Sequence, residues 1–255
     1  MSAHCTKIMS SIMQNKLFVY VRSCISYLLF SLLMATFGVL LLVTLLLTPR
    51  AYIQKNFLIY WLLAILFRGF VYASFIPFKV IKSADSYPYP ALYVANHQSA
   101  ADIAVLGYLQ GVHPHFWFYW DHFSKTPIFS LFTTRLGLGI TQDNPRHDAR
   151  TLLRGIVLMK DKRCNSVIFP EGGRFNDGNV HEFECGFALL ARKACVPVIP
   201  VYIHNMGNAY PPHSFIIYRY PVTVYVGEPL EIGLEESDRD FCTRVHSWFD
   251  KYNAK

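Results

Sequence analysis

The stretch ALYVANHQSAAD, residues 91–102, sets a histidine, His97, five residues before an aspartate, Asp102. A histidine held at a strand end beside a carboxylate can take a proton from a hydroxyl, because the carboxylate fixes the ring's tautomer and steadies the imidazolium. The chain contains no Gly-x-Ser-x-Gly turn, so such a base would activate a substrate hydroxyl rather than an enzyme serine. The same residues have a structural reading. Ser99 as N-cap with Asp102 three residues on is the Ser-x-x-Asp pattern of a capping box, and spacing alone leaves both open.

A second group is VIFPEGGRFNDG, residues 167–178. An apolar run ends at Pro170 and releases Glu171, Gly172, Gly173 and Arg174 into a loop. Glycines let backbone N–H groups approach a ligand, and an arginine fork matches a phosphate. The alternative is an ordinary strand exit with a solvated Glu and Arg. A third stretch, VPVIPVYI (residues 196–203), places two prolines in a predicted strand, which suggests an edge, a bulge or a shaped pocket wall.

These residues need a scaffold, and the pattern around them supplies one. ALYVA, HFWFY, SVIFP, VIPVYI and VTVYVG read as strands. Between them AADIAVLGYLQ, PIFSLFTTRL, HDARTLLRGIVLMK, CGFALLARKA and RDFCTRVHSWFDKY carry helical spacing. Such alternation predicts an α/β domain with a largely parallel sheet flanked by helices. Asn96 and His97 then fall just beyond the carboxyl end of a strand, where open sheets build their sites.

The chain is 53% hydrophobic and only 16% charged, with a mean hydropathy of +0.24. Much of the excess lies in residues 23–49, which carry no charge between Arg22 and Arg50. As a helix this run would be about 40 Å long, enough to cross a ~30 Å hydrocarbon core. It lacks a small-residue cleavage site, so it reads as a retained anchor. FLIYWLLAILF, residues 57–67, is shorter and suits an interfacial or re-entrant helix with Tyr60, Trp61 and Tyr72 at headgroup level, or else a core helix. The loop KSADSYPYP marks a boundary, giving residues 1–81 as an N-terminal membrane-anchoring helical segment and 82–255 as the α/β domain. The formal charge of +7 favours anionic lipid or an anionic substrate. No Lys/Arg-dense stripe with interleaved aromatics is present, which argues against nucleic acid. The six cysteines show no metal-ligand spacing and read as reduced thiols.

Taken together and in order, NHQSAAD, FPEGGR and VPVIPV resemble the Asn-His-x-x-x-x-Asp, Phe-Pro-Glu-Gly-Thr-Arg and Val-Pro-x-x-Pro-Val blocks of the glycerolipid acyltransferase family, whose best-known members are lysophosphatidate acyltransferases. The resemblance covers roughly residues 90–233, and VYVGEPLEI is similar to the family's closing strand. It implies transfer of an acyl group from acyl-CoA or acyl carrier protein to the free hydroxyl of a lysolipid, most simply 1-acyl-sn-glycerol-3-phosphate to give phosphatidate. His97 would be the base and Asp102 its support, with no acyl-enzyme, no metal and no cofactor beyond the donor co-substrate. The resemblance places Asn96, Glu171, Gly172, Gly173 and Arg174 in the substrate-binding set, with Arg174 reaching the acceptor phosphate and Lys125 near the donor. It also implies membrane lipid as a partner and a catalytic domain on the cytoplasmic face of an integral or deeply embedded protein.

Two departures stand out. Gly173 replaces the family's threonine, and Asp143 aligns with a phosphate-binding arginine of another block, leaving Arg146 as a substitute. A carboxylate beside a phosphate is repulsive. A different lysolipid acceptor therefore stays open, as do a thioester hydrolase and a non-catalytic lipid-binding protein.

Overall fold

Short β-branched and aromatic runs alternate with amphipathic stretches along the chain, and they fold accordingly into one seven-stranded sheet covered by helices. A computed structural model describes residues 16–120, 129–141 and 144–252. The strands are β1 (Phe78–Lys82), β2 (Leu92–Ala95), β3 (His115–Trp120), β4 (Gly137–Ile140), β5 (Asn165–Ile168), β6 (Val198–His204) and β7 (Val222–Val226). Their order is β1-β7-β6-β2-β5-β3-β4, parallel from β6 through β4, with β7 antiparallel to β6. β1 and β7 pair in parallel at one edge.

Central strands are buried along their length, β2 at all four residues, as parallel strands covered on both faces must be. On one face Phe116, Phe118, Phe187, Phe241 and Phe249 pack beneath α6 (Pro145–Lys160), α7 (Gly186–Ala194) and α9 (Asp238–Phe249). On the other, Tyr93, Val167, Ile199 and Val201 pack beneath Val105 and Leu106 of α4 (Asp102–Gln110).

The N-terminal segment forms a hairpin. Helix α1 (Lys16–Leu33) continues through a π-helical turn into α2 (Val39–Leu47), 32 residues in all, long and apolar enough to cross a membrane by length and composition. A 3-10 turn (Arg50–Lys55) returns the chain into α3 (Phe57–Ala73), whose N-cap Asn56 accepts from Leu58 N–H. Phe70 of α3 meets Phe30 of α1 edge-on at 5.3 Å. Helix α3 also packs on α4, so closely that a Cβ at Gly107 would come within 2.2 Å of the Phe67 ring. Glycine is what lets these helices touch.

The structure differs from the sequence expectations in several places. Strands β1 and β4 escaped the pattern: β1 lies ahead of the boundary drawn at residue 82, and β4, GLGI, has two glycines where branched residues are the signal. β6 is interior rather than an edge. Pro200 is tolerated because its carbonyl and missing N–H face the β7 side, between the Val198–Leu230 bridge and the ladder that starts at Val201. Tyr60 does not face headgroups; it is 1% exposed and tilts against His115, whereas Trp61 and Tyr72 are exposed. Cys185 and Cys242 are joined in a disulfide rather than reduced. Folding brings their Cα atoms to 5.5 Å across 57 residues of sequence, a proximity no local spacing reveals.

Candidate functional site

Three chain exits converge at the carboxyl ends of β2, β5 and β6. Asn96 follows β2 and faces β6: its Nδ2 donates to Ile203 O at 3.1 Å while its Oδ1 accepts from Ile203 N–H at 2.7 Å. It is 1% exposed. With both amide ends engaged, Asn96, which the sequence placed in the substrate-binding set, staples two strands together.

The staple delivers His97. Its Nδ1 lies 2.8 Å from Asp102 Oδ2, so Nδ1–H donates and Nε2 keeps the lone pair. Asp102 Oδ2 also accepts from the backbone N–H groups of Gln98 (2.6 Å) and Ser99 (2.7 Å), and the residue is fully buried. The capping box and the dyad are thus one arrangement. Only half of the box forms: the Ser99 hydroxyl accepts from Ala101 N–H at 3.3 Å and donates to Tyr210 O at 2.6 Å, while Asp102 N–H goes to Ser99 O. Phe169 stacks on the imidazole with centroids 3.9 Å apart, and Phe175 N–H donates to His97 O at 2.9 Å. Phe169 on one face and Asp102 at Nδ1 hold the ring.

Glu171 closes the arrangement from β5. Its Oε1 accepts from His97 N–H at 2.8 Å and its Oε2 from His181 N–H at 3.0 Å. Burial pushes the carboxyl up to about 7, against the pull of those two backbone donors. With only 9% exposure, Glu171, which the sequence placed in the substrate-binding set, clamps two loops together. Gly172 takes a left-handed turn with φ +64°, turning the chain so that Gly173 and Arg174 follow with backbone N–H groups that have no protein partner among the described residues. Donors of that kind can receive an oxyanion. A Cβ at Gly173 would press on the Phe175 ring at 3.0 Å, which leaves little room for the threonine usual there.

Arg174 is exposed, and its Nε–H donates to His97 Nε2 at 3.3 Å. It lines a cavity of about 400 Å³ with Ser99, Ala100 and the segment from Tyr210 to Phe215. Arg146, by contrast, is exposed in the first turn of α6, beyond β4. β4 stands three strand spacings from β2, about 14 Å. Arg174 leaves β5, two strand spacings from β4, about 10 Å. Lys125 and Asp143 lie outside the described residues. Sequence reasoning missed Phe169, although it sits inside the quoted motif, and missed the segment after β6 altogether. There Gly207 N–H donates to Gln98 Oε1 at 3.2 Å and Tyr210 receives Ser99, contacts more than a hundred residues apart with no local signature.

Known proteins resemble this chain in sequence and in fold. A family model described as acyltransferase matches residues 78–204, which carry His97, Asp102, Glu171 and Arg174. A 1-acyl-sn-glycerol-3-phosphate acyltransferase of Limnanthes douglasii is 24% identical over 180 residues, 67% of this chain and 61% of that protein. The chloroplastic 1-acyl-sn-glycerol-3-phosphate acyltransferase LPAT1 of Arabidopsis thaliana is 32% identical over 131 residues, 49% of this chain and 35% of its own length. The chain thus spans under two thirds of these relatives. The crystal structure of the 1-acyl-sn-glycerophosphate acyltransferase PlsC from Thermotoga maritima superposes with a TM-score of 0.74 at 21% identity, covering 93% of this chain and 97% of that one, and shares its fold.

Proposed function

The chain belongs, through residues 78–204, to the acyltransferase family, and from that premise we propose that it is a membrane-bound O-acyltransferase acting on the free hydroxyl of 1-acyl-sn-glycerol-3-phosphate. The observation that carries this reading is a histidine whose Nδ1 is fixed by a buried aspartate while its Nε2 meets Arg174, a side chain that also lines the cavity. In the reaction His97 Nε2 takes the acceptor's hydroxyl proton as its oxygen attacks the thioester carbonyl. The C–S bond then breaks, and the imidazolium returns the proton to the departing thiolate. Backbone N–H groups of Gly173 and Arg174 receive the oxyanion, and the Arg174 guanidinium receives the acceptor phosphate. The donor is acyl-CoA or acyl carrier protein, with no metal or resident cofactor.

The N-terminal hairpin supports an embedded attachment rather than a crossing. Arg22 donates to Ile217 O near the start of the long helix, and Arg135 of α5 (Phe129–Leu136) donates to Leu45 O and Thr48 O near its end. Those anchor points are about 35 Å apart along the helix, and both belong to the same domain. A helix passing through a ~30 Å core would drag the domain through with it. An exposed stripe including Phe18, Val21, Ile25, Leu28, Leu32 and Val39 instead offers one face to lipid along the whole length.

Intracellular thioesters favour a domain on the cytoplasmic face. The Cys185–Cys242 disulfide argues the other way, since such bonds persist mainly in oxidising compartments, and protease protection in sealed vesicles decides between them. A second reading keeps the chemistry and changes the acceptor to another lysolipid, because Gly173 stands where the family has a threonine. Radiolabelled acyl transfer to a panel of lysolipids tests both readings, with lysophosphatidate expected first and His97→Ala as control. Failure with every lysolipid, or a variant as active as wild type, would overturn the assignment, and free fatty acid as sole product would make it a hydrolase.

A further inference from the structure

Arg174 stands between the base and the cavity. Its Nε–H points at His97 Nε2, the ring nitrogen that proton abstraction needs, since Nδ1 is taken by Asp102. At 3.3 Å the contact is longer than the roughly 2.7–2.9 Å of a strong charge-assisted bond. No carboxylate among the described residues pairs with Arg174. The guanidinium is therefore weakly held on one side and faces open space lined by Ser99, Ala100 and Tyr210 on the other. A phosphate in that space offers it two strong parallel hydrogen bonds in place of one weak one.

Resting on the acceptor assignment above, we propose that Arg174 masks the base in the empty enzyme and that the acceptor's phosphate unmasks it by drawing the guanidinium into the cavity. The chemical need is plain. Once a thioester is bound, water can replace the lysolipid hydroxyl: it gives a proton to His97 Nε2, its oxygen bonds to the acyl carbon, the C–S bond breaks and the thiolate takes the proton. The products are fatty acid and free thiol, and the donor is wasted. A base covered until a phosphate arrives discriminates a phosphorylated acceptor from water without any contact to the hydroxyl itself. Arg174 is then a specificity-determining residue for the acyl transfer as well as a phosphate contact.

The test follows release of free CoA from palmitoyl-CoA in detergent with no lysolipid present. Wild type is expected to hydrolyse slowly and to speed up several-fold when inorganic phosphate is added, because the free anion moves Arg174 without supplying a hydroxyl acceptor. Arg174→Ala is expected to hydrolyse several-fold faster than wild type without phosphate and to ignore phosphate, and His97→Ala in the same background should abolish the gain. Arg174→Lys guards against a folding artefact: it keeps the charge, loses the Nε–H, and should also show raised hydrolysis. Hydrolysis no faster in both folded Arg174 variants than in wild type, or a wild type indifferent to phosphate, overturns the masking. Transfer to lysophosphatidate by wild type is measured separately, so a working transferase with no masking is told apart from a protein that does not transfer at all.

Discussion

Two histidines, one partly buried and one fully buried, sit at opposite ends of the same sheet, and their surroundings differ in the features that separate a base from a structural residue. His97 follows β2, with Nδ1 on a fully buried aspartate and its side chain 12% exposed. His115 opens β3, 1% exposed beneath Tyr60 and Phe67, with Nδ1 donating to His113 O at 2.9 Å and Nε2 without a partner among the described residues. Near it, Asn165 joins Gln110 to the backbone of Ala91, and Gln110 Nε2 is likewise unpartnered among the described residues. Burial without a carboxylate pushes His115 down to about 4, so it stays neutral. A carboxylate on one nitrogen and only an exposed, displaceable arginine at the other give a histidine work to do.

The largest expected effect breaks the comparison if it fails. His97→Ala should lower kcat by about 10²–10⁴-fold, the usual contribution of a positioned general base. His115→Phe, filling an aromatic niche at the far end of the sheet from His97, should leave kcat within about twofold, about 0.4 kcal/mol in the barrier. Comparable losses in steady-state transfer assays would mean that the lower end of the sheet also serves the chemistry. Asp102→Asn should approach the His97 loss, since an amide can present N–H to Nδ1 and select the wrong tautomer.

Much of this contrast was readable in sequence. The five strands ALYVA, HFWFY, SVIFP, VIPVYI and VTVYVG rest on local pattern, whereas the dyad and the glycine loop stayed open on spacing and gained weight from the ordered resemblance to the acyltransferase blocks. The roles of Asn96 and Glu171 were not readable, because a polar residue at a strand end looks the same whether it meets a ligand or a backbone 107 or 74 residues away. The closing wall, from Gly207 to Phe215, carries no periodicity at all. It exists as a site element only because Gln98, Ser99 and the hairpin helix reach it through Gly207, Tyr210 and Ile217.

A smaller effect sharpens the positioning argument. Glu171→Gln keeps the size of the clamp but turns one acceptor into a donor facing a backbone N–H, leaving one of His97 N–H and His181 N–H unsatisfied. The His97 loop should shift, and a misplacement on the order of 1 Å costs about 10²-fold in rate. The loss should fall on kcat, with acceptor KM moving less than about threefold if Glu171 only positions. A KM rise matching the kcat loss, measured over a lysophosphatidate series, would return Glu171 to the ligand-contacting set.

The smallest effect is the pH dependence of stability, where the two buried groups oppose each other. His115 has its folded value depressed from about 6.5 to about 4, so between those values the unfolded chain binds the extra proton and stability is lost as pH falls. Glu171 has its folded value raised from 4.5 to about 7, so between those values the folded chain binds the extra proton; its stabilisation is full below 4.5 and is lost as pH rises through 7. Each amounts to about 3 kcal/mol at most, from 1.36 kcal/mol per unit. The contributions largely cancel near pH 5–6 in wild type. Removing one should expose the other: relative to wild type, His115→Phe should gain a thermal midpoint that falls from pH 4.5 to 7, and Glu171→Gln one that rises from pH 4 to 6.5. Midpoints read by tertiary fluorescence in detergent at half-unit steps decide it. Slopes of the same sign in both variants would show that one of these groups keeps its ordinary affinity for protons, and so is less completely withdrawn from water than the packing around it implies.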